Sequence, residues 1–145
     1  MFGMWWMVAG IAIMTVLSIY DIRTKKIPVT GFVIVLFYSV LSLVCFGKND
    51  LIWTDVIMSL IPGLILIGLS LITEGKVGLG DGILVAEMGM GLGMEKCAYM
   101  LIGALVLNCL FSGILLAFHK VRLHSRIPFV PFITAGMGVI AFVFR

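Results

Sequence analysis

The chain has few charges. Lysine, arginine, aspartate and glutamate together make up 12% of its 145 residues, against 62% hydrophobic residues, and the mean hydropathy is +1.24. A soluble domain carries roughly 25% charged residues, so a water-exposed globular fold is excluded and the bilayer is the expected solvent. There is also too little basic residue to coat a nucleic acid, and no nucleic-acid partner is expected. The formal charge of +3 speaks instead to topology. Cysteine is equally scarce. Cys45, Cys97 and Cys109 form no CxxC pair and have no histidine at ligand spacing, which leaves neither a disulfide framework nor a metal centre; they read as small buried apolar residues. The two histidines, His119 and His124, stand in a basic loop with no adjacent nucleophile, and no serine has a histidine and an acid in motif context. That excludes a serine hydrolase.

What the chain does have is apolar runs of spanning length, punctuated by short polar segments. Met4 to Tyr20, opened by Trp5 and Trp6, is long enough for a first span. With no basic residue ahead of it and no small-residue cleavage signature, it reads as retained and not as a signal peptide. The polar stretch Asp21 to Pro28 follows, and then Val29 to Phe46, ended by the turn-like cluster Gly47-Lys-Asn-Asp50. A third run starts at Leu51 or Val56 and ends at Ile72, with Pro62-Gly63 placed to kink it. Ile83 to Met94 is short for a span and carries Gly89, Gly91 and Gly93 in alternation. It is expected to be tilted, partly buried or broken, which a membrane protein tolerates where protein encloses the backbone. Cys97 to Phe118 and Ile127 to Phe144 complete the set, the last with Pro128 and Pro131 near its start. The expected architecture is a single membrane-embedded domain, residues 1–145, all-α, with about six transmembrane helices and the fourth short and irregular. The 17 glycines suit helix-to-helix contacts in lipid.

Six spans put the connecting segments on alternate sides. Arg23, Lys25, Lys26, Lys76, Lys120, Arg122 and Arg126 then share one side, with Lys48, Lys96 and Arg145 on the other. The positive-inside rule makes the first side cytoplasmic. Contact with anionic lipid accounts for the basic run 119–126 as well.

The same alternation puts Asp21 and Asp81 on one face of the membrane. Asp81 follows Gly78-Leu-Gly80, two glycines that permit tight turns and close approach of another chain. As an isolated residue it reads as an N-cap for a helix beginning near Gly82. Paired with Asp21 it reads differently. Two carboxylates brought close cannot both ionise cheaply, so one keeps a proton while the other acts as a base. Such a pair can activate water and protonate a leaving amine, which is general acid and base peptide hydrolysis. Glu74 is the other acid on that side and reads as a solvated loop residue. A proton-coupled transporter using Asp81 or Glu87 is the competing reading, weakened by the absence of an inverted repeat between the halves.

These residues resemble the motifs of a known family. Asp21-Ile-Arg-Thr-Lys-Lys-Ile-Pro28, Gly78-Leu-Gly-Asp81 with Leu84, Ala86 and Gly89, and Ile127-Pro-Phe-Val-Pro-Phe132 with Gly136 resemble the three signatures of the type IV leader peptidases, membrane aspartic proteases of the GxGD kind. The resemblance covers essentially the whole chain. It implies that Asp21 and Asp81 are catalytic and that Pro28, Gly78, Gly80, Pro128 and Pro131 shape the site. The implied activity removes the short basic leader from prepilins or pseudopilins of Tad, Flp or related filaments. The implied place is the cytoplasmic face of a prokaryotic plasma membrane, and the chemistry needs no metal and no cofactor. The chain departs from the pattern at Val29, where many relatives have Asp or Asn, and at Ile83, where many have Lys. Glu87, an acid within an apolar segment, stands where relatives often have a small residue; it reads equally as a modulator of the site or as a polar contact between helices. Tyr20 beside Asp21 reads as an interfacial aromatic that could orient the carboxylate. The cysteine-paired domain with which bifunctional relatives methylate the new amino terminus has no counterpart here, so methylation is not expected.

Overall fold

In a computed structural model, residues 4–24, 27–46, 52–73, 78–118 and 128–143 are described, and among them the secondary structure is helical throughout. Six helices follow one another: α1 (Met4–Thr24), α2 (Val29–Phe46), α3 (Ile52–Ile72), α4 (Leu79–Leu92), α5 (Met94–Ala117) and α6 (Val130–Val143). Glu74, Lys25, Lys26, Lys76 and the basic run 119–126 lie outside the described residues.

The surface of the bundle is that of a membrane protein. Trp5, Val16, Phe37, Val44, Ile72 and Phe142 all project outward, a density of large exposed apolar side chains that water would not tolerate. Three stretches, Trp5–Thr24, Thr54–Ile72 and Met94–Ala117, are long and apolar enough to cross a membrane, and Val29–Cys45 and Val130–Val143 are shorter apolar helices.

The short fourth helix is the centre of the fold. It packs against α2, α3 and α5, while α1 rests on α2 and α6, and α5 on α6. Glycines make the central contacts possible. A Cβ at Gly63 would stand 2.5 Å from the backbone of Ala86, one at Gly82 would stand 2.9 Å from the Ile67 nitrogen, and one at Gly89 would overlap the Ser59 carbonyl oxygen. These pairings, 67 with 82, 63 with 86 and 59 with 89, run α3 and α4 antiparallel with their backbones in contact. Gly91 lies against Ser39 of α2, where a Cβ would stand 3.1 Å from the Ser39 Cα, and the Ser42 hydroxyl donates to the Gly91 carbonyl at 3.0 Å. Gly136 brings α6 against Met100 and Ala104 of α5. Away from α4, the Tyr38 hydroxyl donates to the Trp6 carbonyl at 2.8 Å and the two rings stack at 5.1 Å, which ties α2 to the start of α1.

The fourth helix is short and largely buried, as expected, and over its 14 residues it is continuous and not broken, its glycines serving as packing surface; among the described glycines the positive φ of 84° is confined to Gly93, where the chain turns into α5. The third helix contains Pro62 and stays helical on both sides of it. One expectation is corrected. Of the cysteines, Cys97 is buried, its thiol directed at the Val85 carbonyl, whereas Cys45 and Cys109 are exposed on the outer surface.

Candidate active site

Asp21 and Asp81 arrive at the same end of the bundle by different routes. The first helix continues past Tyr20 to Thr24, so Asp21 occupies its last turns and not a loop. Its side chain turns inward and is buried, while Tyr20, Ile22 and Arg23 face outward. The fourth helix begins at Leu79 with Gly78 as N-cap, and the Asp81 and Gly82 amides both point to the Gly78 carbonyl. Asp81 is therefore the third residue of the helix and not its cap. The carboxylate is half-buried and rests over Gly78, where a Cβ would overlap Asp81 Oδ2. Two residues on, Gly80 admits Ile27, just ahead of α2, and Phe32, in its first turn, each 3.2 Å from where its Cβ would be. The two glycines of Gly78-Leu-Gly-Asp81 thus have separate tasks. One leaves room for the carboxylate, and the other seats α2 beside it.

The charge of Asp21 acts directly on Asp81, so the two carboxylates are within electrostatic reach although α1 and α4 are not a principal packing pair. What connects them is α6. The backbone N–H of Val130, the first residue of that helix, donates to Asp21 Oδ2 at 3.4 Å. The N–H groups of a first helical turn have no partner within the helix and carry the positive end of its dipole. Asp21 supplies that partner, a contact with the carboxylate that is set against its burial in the bundle. The Thr134 hydroxyl, one turn further along, lies 3.2 Å from the Met14 carbonyl and fixes α6 to α1 below this contact.

Pro28 stands just ahead of α2, its carbonyl accepting from the Gly31 amide at 2.8 Å. Pro128 precedes α6 and Pro131 sits in its first turn. Each proline therefore frames a helix start at the end where the carboxylates meet. Tyr20 is exposed beside Asp21, in keeping with an interfacial aromatic. Glu87 lies elsewhere, on the α4 stripe of Gly80, Leu84 and Gly91 that faces α2, and its buried Oε2 has no hydrogen-bond partner. Ser39 Oγ, across the same interface, is likewise buried without one. Among the described residues no group of three or more metal-ligating side chains forms. The residue that reading the sequence overlooked is Val130, whose contribution is a backbone N–H; its signal was the position between two prolines at a helix start.

The model of the type IV leader peptidase family matches residues 8–117. That is more than half of the chain; it contains Asp21, Pro28, Gly78, Gly80 and Asp81 and ends ahead of α6. No curated protein and no solved structure matches.

Proposed function

The chain belongs to the type IV leader peptidase family, and from that premise we propose that it is a membrane aspartic endopeptidase whose working pair is Asp21 and Asp81. It removes the basic leader of type IV prepilin-like precursors at the cytoplasmic face of a prokaryotic membrane. The observation that carries this reading is the meeting of two carboxylates at one end of the bundle, with the first of them bonded to the Val130 N–H.

The two carboxylates share one proton, since both ionised would repel in a site screened from water. Asp21, held by the start of α6, is the ionised member. It takes a proton from a water molecule, which attacks the carbonyl of the scissile peptide bond. Asp81 carries the shared proton and passes it to the nitrogen of the leaving amine as the tetrahedral intermediate collapses. Proton count is conserved over the cycle: the proton that Asp81 gives is replaced through the pair by the one that Asp21 gained. Asp81 sits above a glycine, so its carboxylate can turn towards the substrate without displacing a side chain.

The basic residues support the orientation. Asp21 and Asp81 lie at the end of the bundle to which seven of the ten lysines and arginines belong when the six helices alternate across the membrane. The test is co-expression of the protein, its Asp21→Asn form and its Asp81→Asn form with a prepilin-like precursor from the same genome, following leader removal by intact mass. Cleavage by the parent and by neither variant, with all three present in the membrane at equal amounts, is the expected result. Leader removal by either variant at the parent's rate refutes the pair.

A further inference from the structure

Asn108 of α5 has no part in the site described above. Its side chain is half-buried, and its Oδ1 is shut off from solvent without a hydrogen-bond partner. A carbonyl oxygen enclosed among helices costs free energy until a donor reaches it. Its place follows from helix register. Cys97, the first buried residue of α5, meets α4 at two points. Its thiol is directed at the Val85 carbonyl, 3.7 Å away, and its Sγ would stand 3.2 Å from a Cβ on Gly89. Gly78, Val85 and Gly89 are i, i+7 and i+11 on one face of α4, and Cys97, the buried Ala104 and Asn108 repeat that spacing on α5. The chain turns back at Gly93, so eleven residues backwards from Gly89 and eleven forwards from Cys97 cover the same roughly 16 Å. Both end at one level, Asn108 with Gly78.

The third helix gives the same level by a separate count. A Cβ on Gly89 would also overlap the Ser59 carbonyl oxygen, so Ser59 and Cys97 start level on two helices that both run against α4. Eleven residues along α3 lead to Ser70, buried like Ser59, and the pairing of 67 with 82 carries Ser70 to the level of Leu79. Asn108 therefore faces the start of α4 on both counts. What rests over Gly78 there is the Asp81 carboxylate, which a Cβ on that glycine would overlap. Among the described residues, the charged group that acts on Asp81 is Asp21 of α1, while Arg23 faces outward. Ile27 and Phe32 beside Gly80, Ser70 of α3 and Asn108 itself are uncharged.

An ionised carboxylate offers Asn108 Oδ1 only a second acceptor, whereas a protonated carboxyl offers the donor it lacks. Asp21 is met in the opposite sense, by the Val130 N–H as a donor. Resting on the peptidase reading above, we infer that Asn108 is a positioning residue of the pair: its carboxamide oxygen accepts from the O–H of Asp81 and so keeps the shared proton on that carboxyl. The donor from α6 and the acceptor from α5 thereby divide two roles between two residues of the same type. When the leaving amine forms, the O–H of Asp81 turns from Asn108 to the amine nitrogen and the proton passes there. Asn108 neither gains nor loses a proton in the cycle.

Two measurements on the full chain in membranes test this. The first asks where Asn108 stands. With Cys45, Cys97 and Cys109 replaced by alanine, Gly78→Cys and Asn108→Cys should be joined by a bifunctional thiol reagent that spans the roughly 8–10 Å between packed helices. Joining should be at least about tenfold faster than for Gly78→Cys with Val106→Cys, since Val106 faces outward; equal rates overturn the placement. The second reads the pH dependence of leader removal from a prepilin-like precursor. Asn108→Leu removes the acceptor at similar volume and is expected to move the alkaline limb of kcat to lower pH by about one pH unit, the worth of one hydrogen bond. KM should stay within about twofold of the parent's. Asn108→Gln keeps an amide on a longer arm and should show a smaller shift in the same direction; if the leucine variant does not reach the membrane, the glutamine variant carries the test. An alkaline limb that stays in place, or a fall in kcat equal at every pH, overturns the assignment. A parent that cleaves no precursor defeats the peptidase reading itself, and the inference falls with it, while the thiol reagent still reports where Asn108 stands.

Discussion

Gly89→Ala is expected to loosen the crossing of α3 and α4 and, through it, to lower activity at a site two turns away. A methyl at that position would overlap the carbonyl oxygen of Ser59, with the carbonyl carbon at 3.1 Å and Cys97 Sγ at 3.2 Å. Two of these three atoms belong to the backbone of a neighbouring helix and cannot swing aside, so the helices must part. Overpacking of this kind costs about 1–3 kcal/mol. Against it stands the gain of roughly 1 kcal/mol that alanine brings over glycine inside a helix. Gly68→Ala separates the two effects, since Gly68 lies on α3 and a Cβ there meets nothing within 4 Å. The propensity gain is common to both substitutions, and the difference between them isolates the packing term at about 1–3 kcal/mol.

The assay is thermal unfolding in detergent, read through tryptophan fluorescence, with leader removal measured on the same preparations. Gly68→Ala should melt at or above the parent temperature and cleave normally. Gly89→Ala should melt below it. Its turnover should fall as well, because Asp81 lies eight residues along the displaced helix and misplacement by about 1 Å can cost on the order of a hundredfold in rate. If Gly89→Ala proves as stable as Gly68→Ala, α3 and α4 do not touch backbone to backbone, and the placing of Asp81 by that contact is refuted.

Gly78→Ala should act on turnover with little effect on stability. The added methyl meets only the mobile end of the Asp81 side chain, so the carboxylate must turn away, and kcat should fall while the melting temperature stays within the equivalent of about 0.5 kcal/mol of the parent. Two carboxylates that share one proton predict a bell-shaped dependence of kcat on pH. On the acid side both are protonated and no base remains, on the alkaline side both are ionised and no acid remains, and a profile with a single limb would remove one of them from the mechanism. Tyr38→Phe deletes the hydroxyl that reaches the Trp6 carbonyl at the far end of the bundle; a loss of about 1 kcal/mol in stability with unchanged leader removal is expected, and a loss of activity of the same order as in Gly78→Ala would contradict the separation of the two ends.

The helices were legible where apolar runs are long, as in α2, whose limits at Val29 and Phe46 coincide with the end of one polar segment and the start of the next. They were misjudged where polarity and backbone geometry part company. Asp21 and Arg23 look like loop residues by composition, yet they lie within α1, because a helix at a membrane surface can turn a carboxylate inward and an arginine outward within one turn. In α4 the glycines read as points of weakness. Gly82, Gly89 and Gly91 instead each meet another helix closely, and among the described glycines Gly93 alone has a positive φ. Nothing in the pattern of glycines separates those that bend a chain from those that admit a neighbour, since the difference lies in what stands opposite. The candidate pair was legible from topology, as alternation of spans put both aspartates on one side. Its link to α6 was not, because a backbone N–H leaves no residue type to read.

The length of α4 gives this arrangement its purpose. Fourteen residues span about 21 Å, less than the roughly 30 Å of a hydrocarbon core, so the helix that carries Asp81 cannot reach both surfaces. Its shortfall is tolerated because α2, α3 and α5 pack around it and the stretch from Gly82 to Leu92 is largely buried in protein. Asp81 follows the exposed Gly78 and Leu79 at the start of this helix, at the same end of the bundle as the buried Asp21. Val130, between Pro128 and Pro131 at the start of α6, bonds Asp21 through its N–H, so on the proposed peptidase reading the setting of that helix start decides where the Asp21 carboxylate stands.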